Sequence, residues 1–310
     1  MVTILLFPGQ GSQKVGMAKD LAARFPEALA ALEAIDAALD LPLSRLMWEG
    51  PEDELTLTHN AQPAILAHSA AVLAVAQAHL GEVVAAAGHS LGEYSAWVAS
   101  GGLEATAAAR LVRRRGELMH EAGTARPGAM AAVLGLATEA VEVACAQAGI
   151  ESHGTVVAAN LNTPEQTVIS GDPDSVARAG ELCRTAGARR VVPLKVSGAF
   201  HSPLMQSAAE GLLQELRAQR FEHPAFPIVA NASASFIDAG VEAPDALAMQ
   251  LTAPVRWVES MRRIAERFPD ARWLELGPGN VLSGLLQRIV PGARCTPLGT
   301  ADQLESWMAA

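Results

Sequence analysis

Apolar positions along this chain fall into two alternating textures. Short aliphatic runs at residues 2–7 and 83–87 end in Gly or Pro, and amphipathic stretches follow at 28–39, 63–80, from about Glu93, and at 104–122. Runs of that length read as strands, and apolar residues recurring every three to four positions read as helices. From Arg126-Pro127-Gly128 the spacing tightens: strand 129–136, helix 138–148, strands 155–160 and 166–170, helix 174–186 and strand 189–194. That βαββαβ succession is the order of a ferredoxin-like unit. The larger pattern resumes with helix 203–220, strand 228–231, helix 255–268, strand 272–276 and helix 281–289. Strands alternating with helices predict an α/β fold whose largely parallel sheet is covered on both faces. The expected organisation is a discontinuous larger domain, 1–125 and 197–310, interrupted by a small domain at 126–196.

Composition narrows the function. The 310 residues are 50% hydrophobic and 18% charged, which suits a packed core. A net charge of -10 argues against nucleic acid or an anionic membrane as a partner. The three cysteines, Cys145, Cys183 and Cys295, match no metal spacing and read as reduced packing residues. The first residues lack a basic leader and run into Pro8-Gly9, and no unbroken apolar run has the roughly 20 residues of a membrane span. The expectation is a cytoplasmic protein, monomeric by default.

Chemistry concentrates at Gly88-His89-Ser90-Leu91-Gly92, a G-x-S-x-G turn between a strand and a helix. Glycines two positions either side of the serine relieve clashes in so tight a turn, and the serine emerges at a helix N-terminus that favours negative charge. A serine nucleophile needs a base. His201 sits between a strand and a helix, on the kind of loop where α/β folds carry reactive groups. His89 adjoins the serine but points away from it at an elbow, so it reads as structural, and the remaining histidines read as surface or packing residues. Gly9-Gln10-Gly11 has Lys14 at the third glycine position of a dinucleotide fingerprint, and no GK[ST] follows Gly16. Nucleotide binding by either motif is therefore unsupported.

Several segments together resemble the malonyl-CoA:acyl carrier protein transacylases and the related acyltransferase domains of polyketide synthases. They are Phe7-Pro8-Gly9-Gln10-Gly11-Ser12-Gln13, Ala61-Gln62-Pro63-Ala64, the elbow with Glu93-Tyr94, Arg115-Gly116 with Met119, and Gly128-Ala129-Met130. Further on come Ala159-Asn160-Leu161-Asn162 with Gln166, Gly198-Ala199-Phe200-His201-Ser202, Gln250-Leu251 with Pro254-Val255-Arg256-Trp257, and Glu275-Leu276-Gly277-Pro278-Gly279. The resemblance implies an α/β-hydrolase-like core with a ferredoxin-like insert, and a malonyl ester on Ser90 formed from malonyl-CoA. It implies that His201 is the base, oriented by the backbone carbonyl of Gln250 and not by an acid. Gln10 and the Leu91 N–H would form the oxyanion hole. Arg115 would grip the malonyl carboxylate, a task suited to a planar guanidinium. Phe200 would crowd the position of an extra α-methyl, and Met119, Gln62, Asn160 and Gln166 complete the implied substrate site. Asn280 stands where many relatives carry lysine.

The acceptor implied is the phosphopantetheine thiol of acyl carrier protein, with no metal or cofactor. Carrier proteins are generally acidic, so Arg184, Arg189, Arg190 and Lys195 are the expected docking cations. Three alternatives share parts of this pattern. A free-standing polyketide acyltransferase uses the same constellation. A serine esterase needs an acidic partner for His201. A non-catalytic carrier-binding scaffold has little need of Ser90, His201, Arg115 and Gln10 together.

Overall fold

A computed structural model describes residues 2–196 and 198–310; Met1 and the expected boundary residue Ser197 lie outside the described residues. The chain opens with β1 (Thr3–Phe7), buried at all five positions, then α1 (Lys19–Arg24), α2 (Pro26–Leu39), α3 (Leu43–Glu49), α4 (Glu52–Thr56) and α5 (Thr58–Ala76). β2 (Val83–Gly88), α6 (Gly92–Ala99) and α7 (Ala105–Ala125) complete the first segment. Next come β3 (Ala129–Leu134), α8 (Thr138–Ser152), β4 (Val156–Thr163), β5 (Gln166–Gly171), α9 (Pro173–Thr185) and β6 (Arg190–Pro193). The last segment holds α10 (Gln206–Ala218), β7 (Ile228–Val229), β8 (Phe236–Ile237), α11 (Ala243–Met249), α12 (Trp257–Arg267), β9 (Arg272–Leu276), α13 (Val281–Ile289), β10 (Cys295–Leu298) and α14 (Ala301–Met308).

The larger sheet runs β10-β9-β1-β2-β7-β8, parallel throughout except that β8 returns antiparallel to β7. Alternation along β1 divides the core. Leu5 and Phe7 join one apolar cluster with α2, α5, α6 and α7, while Ile4 and Leu6 face Trp257, Met261 and Ile264 of α12 and Leu282, Leu285 and Leu286 of α13. Burial on both faces is why β1 reads as an unbroken apolar run. The second sheet is antiparallel in the order β4-β5-β3-β6. One face packs on α8 and α9 through Val141, Ala144, Cys145, Val176, Ala179 and Cys183. The opposite face presents Met130, Ala132, Asn160 and Val168 towards the larger sheet. All three cysteines are buried and unpaired, as packing residues would be.

Several element bounds differ from the expectation for local physical reasons. The helix expected from Pro63 begins at Thr58, so the proline lies inside α5. Proline cannot donate to the His59 carbonyl one turn back; that oxygen accepts from Arg113 Nη1 of α7 at 3.0 Å. α7 comes this close because Gly116 faces α5, where a β-carbon would stand 2.5 Å from His59 Cα. The helical stretch 58–79 is long and apolar enough to cross a membrane, yet most of it is buried inside the protein. The helix expected from Val255 starts at Trp257, because the Val255 backbone pairs with β4: its N–H donates to Ala159 O and its carbonyl accepts from Leu161 N–H. These bonds stitch the small sheet to the core. β10 contains Pro297, a strand-breaking signal that is tolerated at the sheet edge.

Glycine substitutions separate the constrained turn from free helix surface. A β-carbon on Gly88 would sit 1.9 Å from the Gly92 carbonyl, whereas one on Gly284 in α13 meets nothing within 4 Å. Gly88→Ala is expected to lower stability by about 2–4 kcal/mol, and Gly284→Ala to raise it by about 0.5–1 kcal/mol. Denaturant midpoints at constant m-value check both.

Candidate active site

The β2–α6 turn is held in a conformation that a serine rarely adopts. Ser90 has φ 53, in the left-handed region, which costs on the order of 1–2 kcal/mol for a residue with a β-carbon. The turn pays this through side chains from distant segments. Ser90 N–H donates to Asn231 Oδ1 at 2.7 Å, Asn231 Nδ2 donates to Gly88 O at 2.8 Å, and Gln250 Nε2 donates to Ser90 O at 3.0 Å. Gly92 completes the packing, since a β-carbon there would stand 2.1 Å from Phe7 O.

Ser90 Oγ lies 2.8 Å from His201 Nε2 and 3.0 Å from Arg115 Nη2. His201 is also left-handed, at φ 57, and its Nδ1 meets Gln250 O at 2.8 Å. A carbonyl only accepts, so Nδ1 carries the proton and Nε2 is the free acceptor for the serine hydroxyl. Burial, and then the neighbouring Arg115 charge, hold the imidazole down to about 3. The imidazole is therefore neutral at ordinary pH, with Nε2 placed to accept from the Ser90 hydroxyl.

Arg115 is buried to 1% exposure, and its hydrogen bonds among the described residues all end on neutral oxygens. Nη1 donates to Gln62 Oε1 at 2.5 Å, and Nη2 donates to Gln250 Oε1 at 2.9 Å as well as to Ser90 Oγ. Gln62 does not line the cavity; it backs the guanidinium from α5. Its Nε2 donates to Thr58 Oγ1, which donates to Gln10 Oε1 at 3.0 Å, so Arg115 and the β1–α1 loop share one chain of bonds. Burial lowers the guanidinium pKa, but the group starts far above neutrality and stays charged.

Above these groups opens a cavity of about 400 Å³, lined by Gln10, Leu91, Met119, Asn160, Gln166 and Phe200 together with Ser90, Arg115 and His201. Phe200 is also part of the core cluster, so it both packs and lines. The Leu91 N–H makes no hydrogen bond among the described residues and remains open at the start of α6. Of the expected docking cations, Lys195 reaches the cavity wall. Arg189 borders a second cleft of about 450 Å³ with Glu165 and Arg288, and Gln166 lines both openings. Arg184 and Arg190 are exposed on α9 and β6. Two residues of the network carried no assigned role at the sequence level. Asn231 follows a two-residue strand without any motif, and Glu93 stood inside the elbow segment without a function. His89 Nε2 lies 2.8 Å from Asn162 Oδ1, and His89 also lines the cavity.

Comparison with known proteins shows the family. The acyl transferase domain model matches residues 4–300. The malonyl CoA-acyl carrier protein transacylase of Bacillus subtilis is 45% identical over 285 residues, covering 92% of this chain and 89% of that protein. The transacylase of Escherichia coli K12 bearing the same name is 43% identical, covering 92% of each. Among solved structures, an acyl carrier protein S-malonyltransferase from Vibrio cholerae superposes with a TM-score of 0.93 at 39% identity, covering 98% of this chain and 99% of that one. A malonyl-transacylase solved in complex with a type II polyketide acyl-carrier protein gives 0.94 at 39% identity, covering 100% and 99%. This chain belongs to the malonyl CoA-acyl carrier protein transacylase family of acyl transferase domains.

Proposed function

We propose that this chain transfers a malonyl group from malonyl-CoA to the phosphopantetheine thiol of acyl carrier protein, as a step of fatty acid biosynthesis, through a malonyl ester on Ser90. The observation that carries the reading is the guanidinium of Arg115 at 3.0 Å from Ser90 Oγ, in a buried site. A thioester carbonyl at that oxygen brings a carboxylate two carbons away within reach of Arg115. Its charge is compensated there by a paired donor that lysine would not supply.

In the first half-reaction His201 Nε2 takes the Ser90 proton as Oγ attacks the thioester carbon. Gln10 and the open Leu91 N–H face the developing oxyanion, a class of contact worth about 3 kcal/mol per donor. The Gln250 carbonyl keeps the imidazolium in register, and His201 then protonates the departing CoA sulfur. The carrier thiol repeats the sequence in reverse at the malonyl-serine. Phe200 narrows the space beside the α-carbon. Met119, Asn160 and Gln166 line the acyl and pantetheine channel, and Gln62 braces Arg115. Arg184, Arg189, Arg190 and Lys195 form the carrier-facing rim.

The fold is read the same way. The strand order β4-β5-β3-β6 with both helices on one face supports an inserted ferredoxin-like unit at 126–196. The parallel sheet with a serine elbow after β2 supports an α/β-hydrolase-like core built from 1–125 and 197–310. The enzyme is read as a cytoplasmic monomer that needs no membrane or nucleic acid. A second reading, transfer to a polyketide carrier, is favoured by the 39% identical relative bound to such a carrier. Comparing the two carriers as acceptors decides between them.

Intact-mass analysis after mixing with malonyl-CoA should show a malonyl adduct on the wild-type chain and none on Ser90→Ala. An adduct that survives in Ser90→Ala refutes the serine ester. Because His201 is held to about 3, kcat/KM for malonyl-CoA should not fall as pH drops through the ordinary imidazole value of 6.5. A loss centred on 6.5 would show a base that is half protonated there. Reversing both Arg189 and Arg190 to glutamate should raise the KM for carrier protein about 3–10-fold while the rate of adduct formation from malonyl-CoA holds.

A further inference from the structure

Glu93 is a fully buried carboxyl in the first turn of α6, and no step above uses it. Its Oε2 accepts from Asn231 N–H at 2.9 Å and from Gln250 Nε2 at 2.7 Å, while Oε1 has no partner among the described residues. Gln250 turns the other end of its amide to Arg115 Nη2 at 2.9 Å. A guanidinium only donates and a carboxylate only accepts, so the amide can be oriented in just this way. One glutamine therefore joins a buried acid to a buried cation, and its backbone carbonyl holds His201.

Arg115 needs an anion somewhere, because a buried cation with neutral acceptors alone is costly. The groups whose charge reaches it are Tyr94 and Glu93. Burial pushes Tyr94 well above its usual range, so it is a neutral phenol. The imidazoles of His201 and His89 are lowered by burial and are neutral as well. Burial likewise pushes Glu93 up, to about 7, against the opposing pull of Asn231, Gln250 and Arg115. Among these neighbours, Glu93 is the group whose charge can change near neutrality.

We propose that Glu93 is the resting counter-ion of Arg115, acting through Gln250, and that it takes up a solvent proton when a malonyl carboxylate occupies Arg115. The inference rests on the reading of Ser90 and Arg115 given above. The incoming carboxylate places a second anion beside a single buried cation, and like charges so confined do not both stay ionised. The substrate carboxylate contacts the guanidinium directly, whereas Glu93 is one amide removed, so Glu93 yields. Its carboxylate gains H⁺ from solvent and becomes a carboxylic acid, and the Gln250 Nε2–H can donate to either form. Acyl transfer itself moves the Ser90 proton through His201 to the CoA sulfur and is proton-neutral. Discharge of the malonyl group to the carrier thiol returns the Glu93 proton to solvent. Glu93 is thus a positioning residue whose protonation follows occupancy of the site.

Stoichiometric mixing with malonyl-CoA in weak buffer with a pH indicator, alongside intact-mass analysis of the same samples, tests this. Wild type should take up about half a proton per malonyl adduct near pH 7, more towards pH 8, fading by about pH 5, where Glu93 is already protonated. Glu93→Gln keeps an acceptor oxygen and should form the adduct without that uptake. A wild-type malonyl adduct without proton uptake between about pH 6 and pH 8 overturns the proposal and leaves the acylation reading standing. Uptake of wild-type size in Glu93→Gln also overturns it, while absence of any wild-type adduct overturns both readings. If Glu93→Gln does not fold, the pH profile of uptake by the wild-type chain carries the same decision.

Discussion

A guanidinium buried to 1% exposure beside Ser90 is the constraint around which the rest of the molecule is arranged. Desolvating such a cation costs several kcal/mol unless its donors find partners; Nε has none among the described residues, and the partners of the two terminal nitrogens come from three separate segments. Gln62 reaches it from α5, Gln250 from the loop after α11, and Ser90 from the elbow. For Gln62 to arrive, α5 and α7 must touch, which Gly116 permits and which Pro63 reinforces by freeing a carbonyl for Arg113. Packing that looks like ordinary helix contact is therefore part of how the charge is held.

The same network pre-organises the chemistry. Left-handed backbone at Ser90 and His201 stores strain that Asn231 and Gln250 offset. Gln250 is the junction: its carbonyl sets the histidine tautomer, its amide oxygen meets Arg115 and its amide nitrogen meets Glu93. A neutral carbonyl in the place where a hydrolase carries an acid leaves the imidazolium less stabilised. The negative charge of the site is set back behind Gln250, on a carboxyl whose charge answers to the ligand.

Much of this was legible in the residue order because the signals were local. The elbow glycines, the apolar run of β1 and the strand–helix alternation each follow from steric rules acting over a few residues. The histidine and arginine were legible chiefly through a resemblance spanning the chain. Spacing alone left Arg115 indistinguishable from the solvated face that Arg113 and Arg114 suggest. Asn231 and the side-chain role of Gln250 were not legible, since each acts across more than a hundred residues on an elbow that its own neighbours do not announce. The helix running through Pro63 was hidden for a similar reason, because the donor that serves the freed His59 carbonyl is Arg113, 54 residues beyond His59.

If Arg115 is what lets the site read a free carboxylate, removing it should be felt through malonyl and not through an uncharged acyl group. Measuring kcat/KM for malonyl-CoA and for acetyl-CoA in the wild type and in Arg115→Ala tests it most directly. The wild-type preference for malonyl should fall on the order of 10²–10³-fold in the variant, almost wholly through loss of malonyl turnover. A preference that survives the substitution unchanged would contradict it.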